Sequence, residues 1–258
     1  MRQLDFIWRL FGSGLAFIFF GIGGLCLSVT AFPLITLLVR DPARRADHAQ
    51  RLVRQAFRLH IRFMILFGVI DLDVIGAEKL MHDEGTLIVS NHPTLLDVVL
   101  LISLLPRTQC IVKAEIWRNP FMRGVVTAAG YIRNDGDPEK LIQDSADVLA
   151  AKHNLIIFPE GSRTVPGQPL KLQRGAANIA VRACAPIRLV TIKCAPPTLM
   201  KGQKWYEIPP VRMHFTMVVH EAIETERFMS DSVPSVAARR LNAYIGERLT
   251  ELLGVGNE

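Results

Sequence analysis

The chemistry in this sequence starts at Asn91-His92-Pro93-Thr94-Leu95-Leu96-Asp97, where an imidazole and a carboxylate lie five residues apart. The apolar run Leu87-Ile88-Val89-Ser90 before it predicts a buried strand, and the apolar run after it predicts a helix. A histidine at the carboxyl end of a strand, followed by an aspartate in the next helical turn, suits a general base. The carboxylate takes one imidazole nitrogen and leaves the other as an outward acceptor. The same residues also mark a helix start, because Thr94-x-x-Asp97 is a capping-box pattern. The readings are compatible, since Asp97 can begin the helix while holding His92.

A second group follows the compact apolar strand predicted at 154–158, in Pro159-Glu160-Gly161-Ser162-Arg163-Thr164. It collects a carboxylate, a flexible glycine, hydroxyls and a guanidinium in one turn. Arg163 suits a bidentate grip on phosphate, and Gly161 allows close backbone approach. A surface turn closed by a Glu160–Arg163 ion pair is the plainer alternative.

The elements that must position these residues alternate between strand and helix. Strands are predicted at 69–75, 86–90, 109–112, within 125–132, at 154–158, at 186–194 and at 211–219, the last as a late edge strand. Helices are predicted at 95–105, from Trp117, from the N-cap Asp137 with Pro138 at N1, from Gly175 to Cys184, and at 233–253. This order implies an α/β fold with a mostly parallel central sheet covered by helices. Functional groups of such sheets gather at the carboxyl ends of strands, where His92, Arg133 and Glu160 all fall.

The amino end differs in texture. Residues 10–39 carry no charge and lie between Arg9 and Arg40, a run longer than the roughly twenty residues that cross a bilayer. An N-terminal membrane-embedded helical element is expected, either one tilted span or a helix bent at Pro33. Arg51, Arg54, Arg58 and Arg62 then form one stripe of a helix, with Val53, Phe57 and Met64 on another flank. That predicts an interfacial helix with its apolar side in acyl chains and its arginines at phosphates. The chain accordingly divides into a membrane-anchoring region, 1–67, and an α/β domain, 68–258. The positive-inside rule puts the domain on the cytoplasmic side of the cytoplasmic membrane.

Composition agrees. Hydrophobic residues make up 50% of the 258-residue chain, mean hydropathy is +0.25 and formal charge is +6, suggesting an anionic partner. Nucleic acid is disfavoured, because the basic residues cluster beside the apolar run without an aromatic stacking pattern. Cys26, Cys110, Cys184 and Cys194 show no paired or metal-ligand spacing, and with three of them in apolar runs they read as buried free thiols of a reducing compartment. Nothing calls for a metal or bound cofactor.

Taken together, Asn-His-Pro-x-x-x-Asp and Phe-Pro-Glu-Gly-x-Arg resemble the glycerolipid acyltransferase family over roughly 86–192, most closely its 1-acylglycerol-3-phosphate acyltransferase type. The resemblance implies His92 as general base and Asp97 as its orienting partner. Glu160, Gly161, Ser162 and Arg163 would shape the acceptor site, with Arg163 on an anionic head group. Lys113-Ala114-Glu115 looks like the family's segment after the base, and Arg174-Gly175 like its basic residue and glycine before the next helix. Arg133 departs from the pattern, standing earlier than the family's arginine, with Asn134 in the usual place. Leu189 replaces the second of two prolines. Both departures bear on the acceptor.

The chemistry implied is direct acyl transfer from acyl-CoA or acyl-carrier protein to a lipid hydroxyl. No serine or cysteine stands beside the base as a nucleophile, and Ser162 lacks the Gly-x-Ser-x-Gly elbow. Lys113 and backbone amides near His92 are the candidate oxyanion donors. Lysophosphatidic acid is the expected acceptor; another lipid or glycolipid alcohol, or a non-catalytic lipid-binding protein, are the alternatives.

Overall fold

The computed structural model describes residues 2–164, 168–230 and 233–254. Its first helical stretch runs from α1 (Arg2–Cys26) through a π-helical turn (Leu27–Ala31) into α2 (Phe32–Leu38). The expected disturbance at Pro33 takes the form of that widened turn. Proline lacks an N–H and its ring crowds the carbonyl four residues back, and the π turn relieves this without ending the helix. Among the described residues this is the one helical stretch, 37 residues from Arg2 to Leu38, long and apolar enough to cross a membrane. Its buried face in α1 is narrow and mostly small, Arg9, Gly12, Ser13 and Ala16, whereas bulky Leu4, Ile7, Phe11, Ile18 and Ile22 point outward.

α3 (Pro42–Leu66) starts at Asp41, whose carboxylate accepts from Ala43 N at 3.0 Å, with Pro42 in the first turn. Its apolar flank, expected in acyl chains, is instead buried within the protein. Val53, Phe57, Ile61 and Met64 share a core with α5 (Asp97–Leu104). Arg54, expected at phosphates, donates to the carbonyls of Ser103 and Leu104 at 3.3 and 3.1 Å, capping the carboxyl end of α5. Arg51, Arg58 and Arg62 remain exposed.

His60 joins α3 to α1, its ring against Phe19 and Phe20 with centroids 6.0 and 5.3 Å away. Burial pushes its pKa down to about 4. A histidine depressed in the folded state contributes stability that is present above the unfolded value, near 6.5, and lost as pH falls towards 4. Thermal unfolding across that window should show a loss of the order of 3 kcal/mol that His60→Leu abolishes. Identical pH dependence in the two proteins would exclude His60 as its source.

Next in the chain come β1 (Ile70–Ile75), α4 (Ala77–Met81), β2 (Leu87–Ser90), α5, and β3 (Thr108–Lys113). Then follow α6 (Arg123–Ala128), β4 (Ile132–Asn134), α7 (Pro138–Ala150), β5 (Asn154–Ile157) and α8 (Gly175–Ala183). The chain closes with β6 (Ile187–Ala195), β7 (Met213–Ile223), α9 (Glu226–Met229) and α10 (Pro234–Leu253). The sheet order is β1-β7-β6-β2-β5-β3-β4, parallel except where β7 meets β6.

Neighbouring residues of the central strands serve opposite faces. Leu87, Val89, Leu155 and Ile157 enter the core beneath α8 and α10, whereas Ile88 and Ile156 enter the core shared with α3 and α5. Burial on both sides explains why these strands read as continuous apolar runs. Leu189, in place of a proline, pairs in register with Val89 and packs in the core beneath α8.

Three expected elements differ. β7 is an interior strand between β1 and β6; it reads as an edge because Met213, Phe215, Met217 and Val219 are buried while alternate residues are half-exposed. The strand expected within 125–132 is mostly α6, and only Ile132 onward is extended. There, packing overrides the β-branched valines: Val125 and Val126 are buried, and Gln50 Nε2 donates to the Ala129 carbonyl at 2.9 Å. Gly124 lies so close to Ser28 that a Cβ there would collide with its hydroxyl. The helix expected from Trp117 is a 3₁₀ turn, Ala114–Arg118, ended where Asn119 Oδ1 accepts from Phe121 N at 2.9 Å. The four cysteines are free thiols as expected, but their expected burial holds only in part: Cys110 is buried and Cys194 half-buried, whereas Cys26 and Cys184 are exposed, on α1 and at the end of α8.

Candidate active site

β2 ends at Ser90, and the next residue holds the loop in place. Asn91, buried, donates from Nδ2 to the Ile192 carbonyl and accepts from Ile192 N, each at 2.8 Å. Its side chain thus continues the β2–β6 pairing past the strand end and sets where His92 emerges. His92 Nδ1 lies 2.8 Å from Asp97 Oδ2. The Asp97 side chain is fully buried, and its other contacts all come from Thr94, whose N donates to Oδ2 at 2.7 Å and whose hydroxyl donates to Oδ1 at 2.6 Å.

The capping pattern and the histidine partner are therefore one carboxylate. Burial pushes the Asp97 carboxyl upward, and the bonds from His92 and Thr94 act against that shift. An acceptor fixed at Nδ1 makes that nitrogen the proton carrier and leaves Nε2 with its lone pair. The ring stacks on Phe158, centroids 4.2 Å apart, and its side chain is 18% exposed.

The second group closes over the first. Glu160 Oε1 accepts from His92 N at 3.0 Å and from the Thr164 hydroxyl at 2.8 Å, and Thr164 N donates to the His92 carbonyl at 2.7 Å. Glu160 thus fastens the loop after β5 to the loop after β2, and burial raises its pKa against those bonds. The Glu160–Arg163 ion pair considered from sequence is absent among the described contacts. Arg163 Nη1 instead donates to the carbonyls of Leu199 and Met200, both at 2.8 Å. Gly161 has φ of +68°, and a Cβ there would meet the Gln173 amide at 2.6 Å.

The remaining sequence-derived residues also reach this edge of the sheet. Lys113 closes β3, exposed, and pairs in register with Asn134. Arg133 in β4 is exposed, with its guanidinium 6.0 Å from the Trp117 ring centroid. Arg174 stands at the amino end of α8, and Ser162 lies on the Glu160–Arg163 turn, partly exposed. Since β2, β5, β3 and β4 are neighbours, His92, Glu160, Lys113 and Arg133 follow one another along the carboxyl edge. The amides after His92 are engaged: Thr94 N on Asp97, Leu95 N on the Leu199 carbonyl and Leu96 N on the Thr94 hydroxyl. His92 N in turn donates to Glu160.

Sequence reasoning placed Asn91, Phe158 and Thr164 in the two motifs but gave them no role of their own, and it missed Leu199 altogether. Leu199 is buried, has φ of +52°, and its carbonyl takes both Leu95 N and Arg163. A leucine in an apolar-looking stretch carries no mark of that role. The 470 Å³ cleft lined by Lys79, His220, Arg227 and Tyr244 lies at the opposite edge of the parallel strands.

Sequence relatives place the protein with this fold and this edge among acyltransferases. The family model described as Acyltransferase matches residues 71–194. The crystal structure of the 1-acyl-sn-glycerophosphate (LPA) acyltransferase from Thermotoga maritima superposes with a TM-score of 0.70 at 18% identity, covering 97% of this chain and 100% of that one, a likeness of fold. The 1-acyl-sn-glycerol-3-phosphate acyltransferase of Helicobacter pylori (strain J99) is 30% identical over 193 residues, 72% of this chain and 75% of that protein. The alpha form of that enzyme from Homo sapiens is 28% identical over 221 residues, 83% of this chain and 74% of that protein. The chain belongs to the 1-acyl-sn-glycerol-3-phosphate acyltransferase family.

Proposed function

We propose that this acyltransferase moves a fatty acyl group from a thioester of coenzyme A or acyl-carrier protein to the free hydroxyl of 1-acyl-sn-glycerol 3-phosphate, at a membrane surface. The observation that carries this reading is the His92–Asp97 pair, 2.8 Å apart with the carboxylate fully buried. Nε2 of His92 takes the hydroxyl proton as the alcohol oxygen attacks the thioester carbonyl. The tetrahedral intermediate expels the thiolate, and Nε2 returns the proton to it. Asp97 holds the tautomer and stabilises the imidazolium that forms between the two steps.

Transfer is direct. Cys194, on β6, has its thiol pushed up to about 12 by burial, and Cys110 likewise, so neither offers a thiolate near neutral pH. Arg163, Arg133 and Arg174 are the cations for the acceptor phosphate, and Lys113 for the oxyanion. No metal or bound cofactor takes part in this scheme. The helical stretch from Arg2 to Leu38 anchors the chain in the cytoplasmic membrane, with the sheet domain on the cytoplasmic side.

The test is a panel assay with purified enzyme in phospholipid vesicles. Lysophosphatidic acid, monoacylglycerol and lysoglycolipid acceptors are each offered with acyl-CoA and with acyl-carrier protein thioester, and products are read by mass. Phosphatidic acid as the main product supports the reading. A main product from an uncharged acceptor transfers the chemistry to another alcohol, and no thioester consumption with any acceptor overturns catalysis.

A further inference from the structure

The segment 199–211 links the first helix to the catalytic loops. At one end the Leu199 carbonyl receives Leu95 N at 3.1 Å and Arg163 Nη1 at 2.8 Å. At the other, Arg9 of α1, 1% exposed, donates from Nη1 to the carbonyls of Pro209 and Val211 at 2.9 and 3.1 Å, and from Nη2 to that of Pro210 at 2.7 Å. Between them, Ser13 Oγ donates to the Trp205 carbonyl at 3.3 Å. The Trp205 ring lies over Gly14, where a Cβ would come within 3.2 Å of it, and 6.0 Å from the Phe17 ring. The segment is therefore seated on the helix that anchors the chain.

What this seating presents outward is amphipathic in a particular way. Trp205 and Tyr206 remain 43% and 45% exposed, although one is backed by α1. Lys201 and Lys204 beside them are exposed, and Lys204 Nζ lies 5.5 Å from the Tyr206 ring centroid. Tryptophan and tyrosine with one apolar and one wet end favour the headgroup level of a bilayer. Flanking lysines match anionic phosphates there. The patch is also continuous with the bulky apolar face of α1, through Phe17.

We propose that 199–211 is a second lipid contact of this enzyme, with Trp205 and Tyr206 in the phosphate and ester layer of an anionic bilayer. The proposal rests on the reading of Arg2–Leu38 as the membrane anchor. Since the same segment holds Leu95 and Arg163, lipid contact and the geometry around His92 are joined through Leu199. The occupant is the bilayer surface itself.

The full chain is reconstituted in phosphatidylglycerol-containing vesicles as two single-tryptophan variants. One keeps Trp205 (W8F/W117F), and the other keeps Trp8 of the anchor helix (W117F/W205F). Each is titrated with phospholipid brominated in its acyl chains and, separately, with iodide in the water. The proposal expects blue-shifted emission from both, with most of it lost to brominated lipid and little to iodide. Quenching of Trp8 by lipid with Trp205 quenched only by iodide overturns the second contact and leaves the anchor standing. Quenching of neither by lipid overturns the anchor, and the proposal with it.

Discussion

His92→Ala is expected to lower kcat/KM for acyl transfer by about 10²- to 10⁴-fold, the range a positioned general base contributes, while the protein still folds and enters vesicles. Folding should survive because the ring is held by one hydrogen bond and one stack, on Asp97 and Phe158, whereas the loop is held by backbone. His92 N bonds Glu160, and its carbonyl receives Thr164 N. Asp97→Asn provides the sharper control. With its oxygen at the Oδ2 position the amide still accepts from Nδ1 and from Thr94 N and turns its NH₂ onto the Thr94 hydroxyl, but it lacks the negative charge that stabilises the imidazolium formed when His92 takes the proton. A comparable loss of rate is therefore expected from a near-isosteric change. The measurement is initial phosphatidic acid formation beside a circular dichroism spectrum. Residual turnover within tenfold of the wild type for His92→Ala would refute the base.

The largest effect on structure is expected at Arg9. Arg9→Met leaves the carbonyls of Pro209, Pro210 and Val211 without their donor and frees Asp5. Hydrogen bonds to a charged group contribute about 1.5–3 kcal/mol each, and water can replace part of that because Pro210 and Val211, unlike Arg9, are exposed. A net local cost of about 3 kcal/mol is a reasonable order, equivalent to about a hundredfold rise in opening of 199–211. Tryptic cleavage at Lys201 and Lys204 should accelerate by about that factor. Arg9→Lys should rescue little, since an ammonium cannot span three carbonyls as the guanidinium fork does. Activity should fall too, through Leu199 and its hold on Arg163. Unchanged cleavage in Arg9→Met would mean that the segment is held by something other than this arginine.

The two departures from the family pattern have different structural weight. Leu189 is an interior strand residue whose N–H is compatible with the ladder, so replacing proline there is accommodated by the sheet. Arg133 and Asn134 both sit at the exposed end of β4, beside Lys113. That pair is where acceptor choice should be sought, and the acceptor panel reports on it.

The alternation of apolar runs with helical patterns determined the α/β class, since strands buried on both faces must be apolar throughout. The spacing from His92 to Asp97 determined a local contact, because both residues belong to one strand–turn–helix unit. The same holds for Asp137 with Pro138, where the cap bonds only its own helix. The tertiary structure decided what depends on distant partners. α3 has an amphipathic pattern suited to a bilayer, yet α5 covers its apolar flank and Arg54 caps that helix. Val125 and Val126 have strand propensity, yet packing beneath α3 makes them helical. β7 looks like an edge because one of its faces is half-exposed, and only pairing shows it to be interior.

Arg163, chosen for its grip on anions, has Nη1 on two carbonyls from a segment some thirty-six residues away. Arg9, closing one end of an apolar run, ties that segment down from two hundred residues away. Periodicity and motif report what a residue does with its neighbours in sequence. Which carbonyl a guanidinium reaches depends on chain paths that only the packed fold brings together.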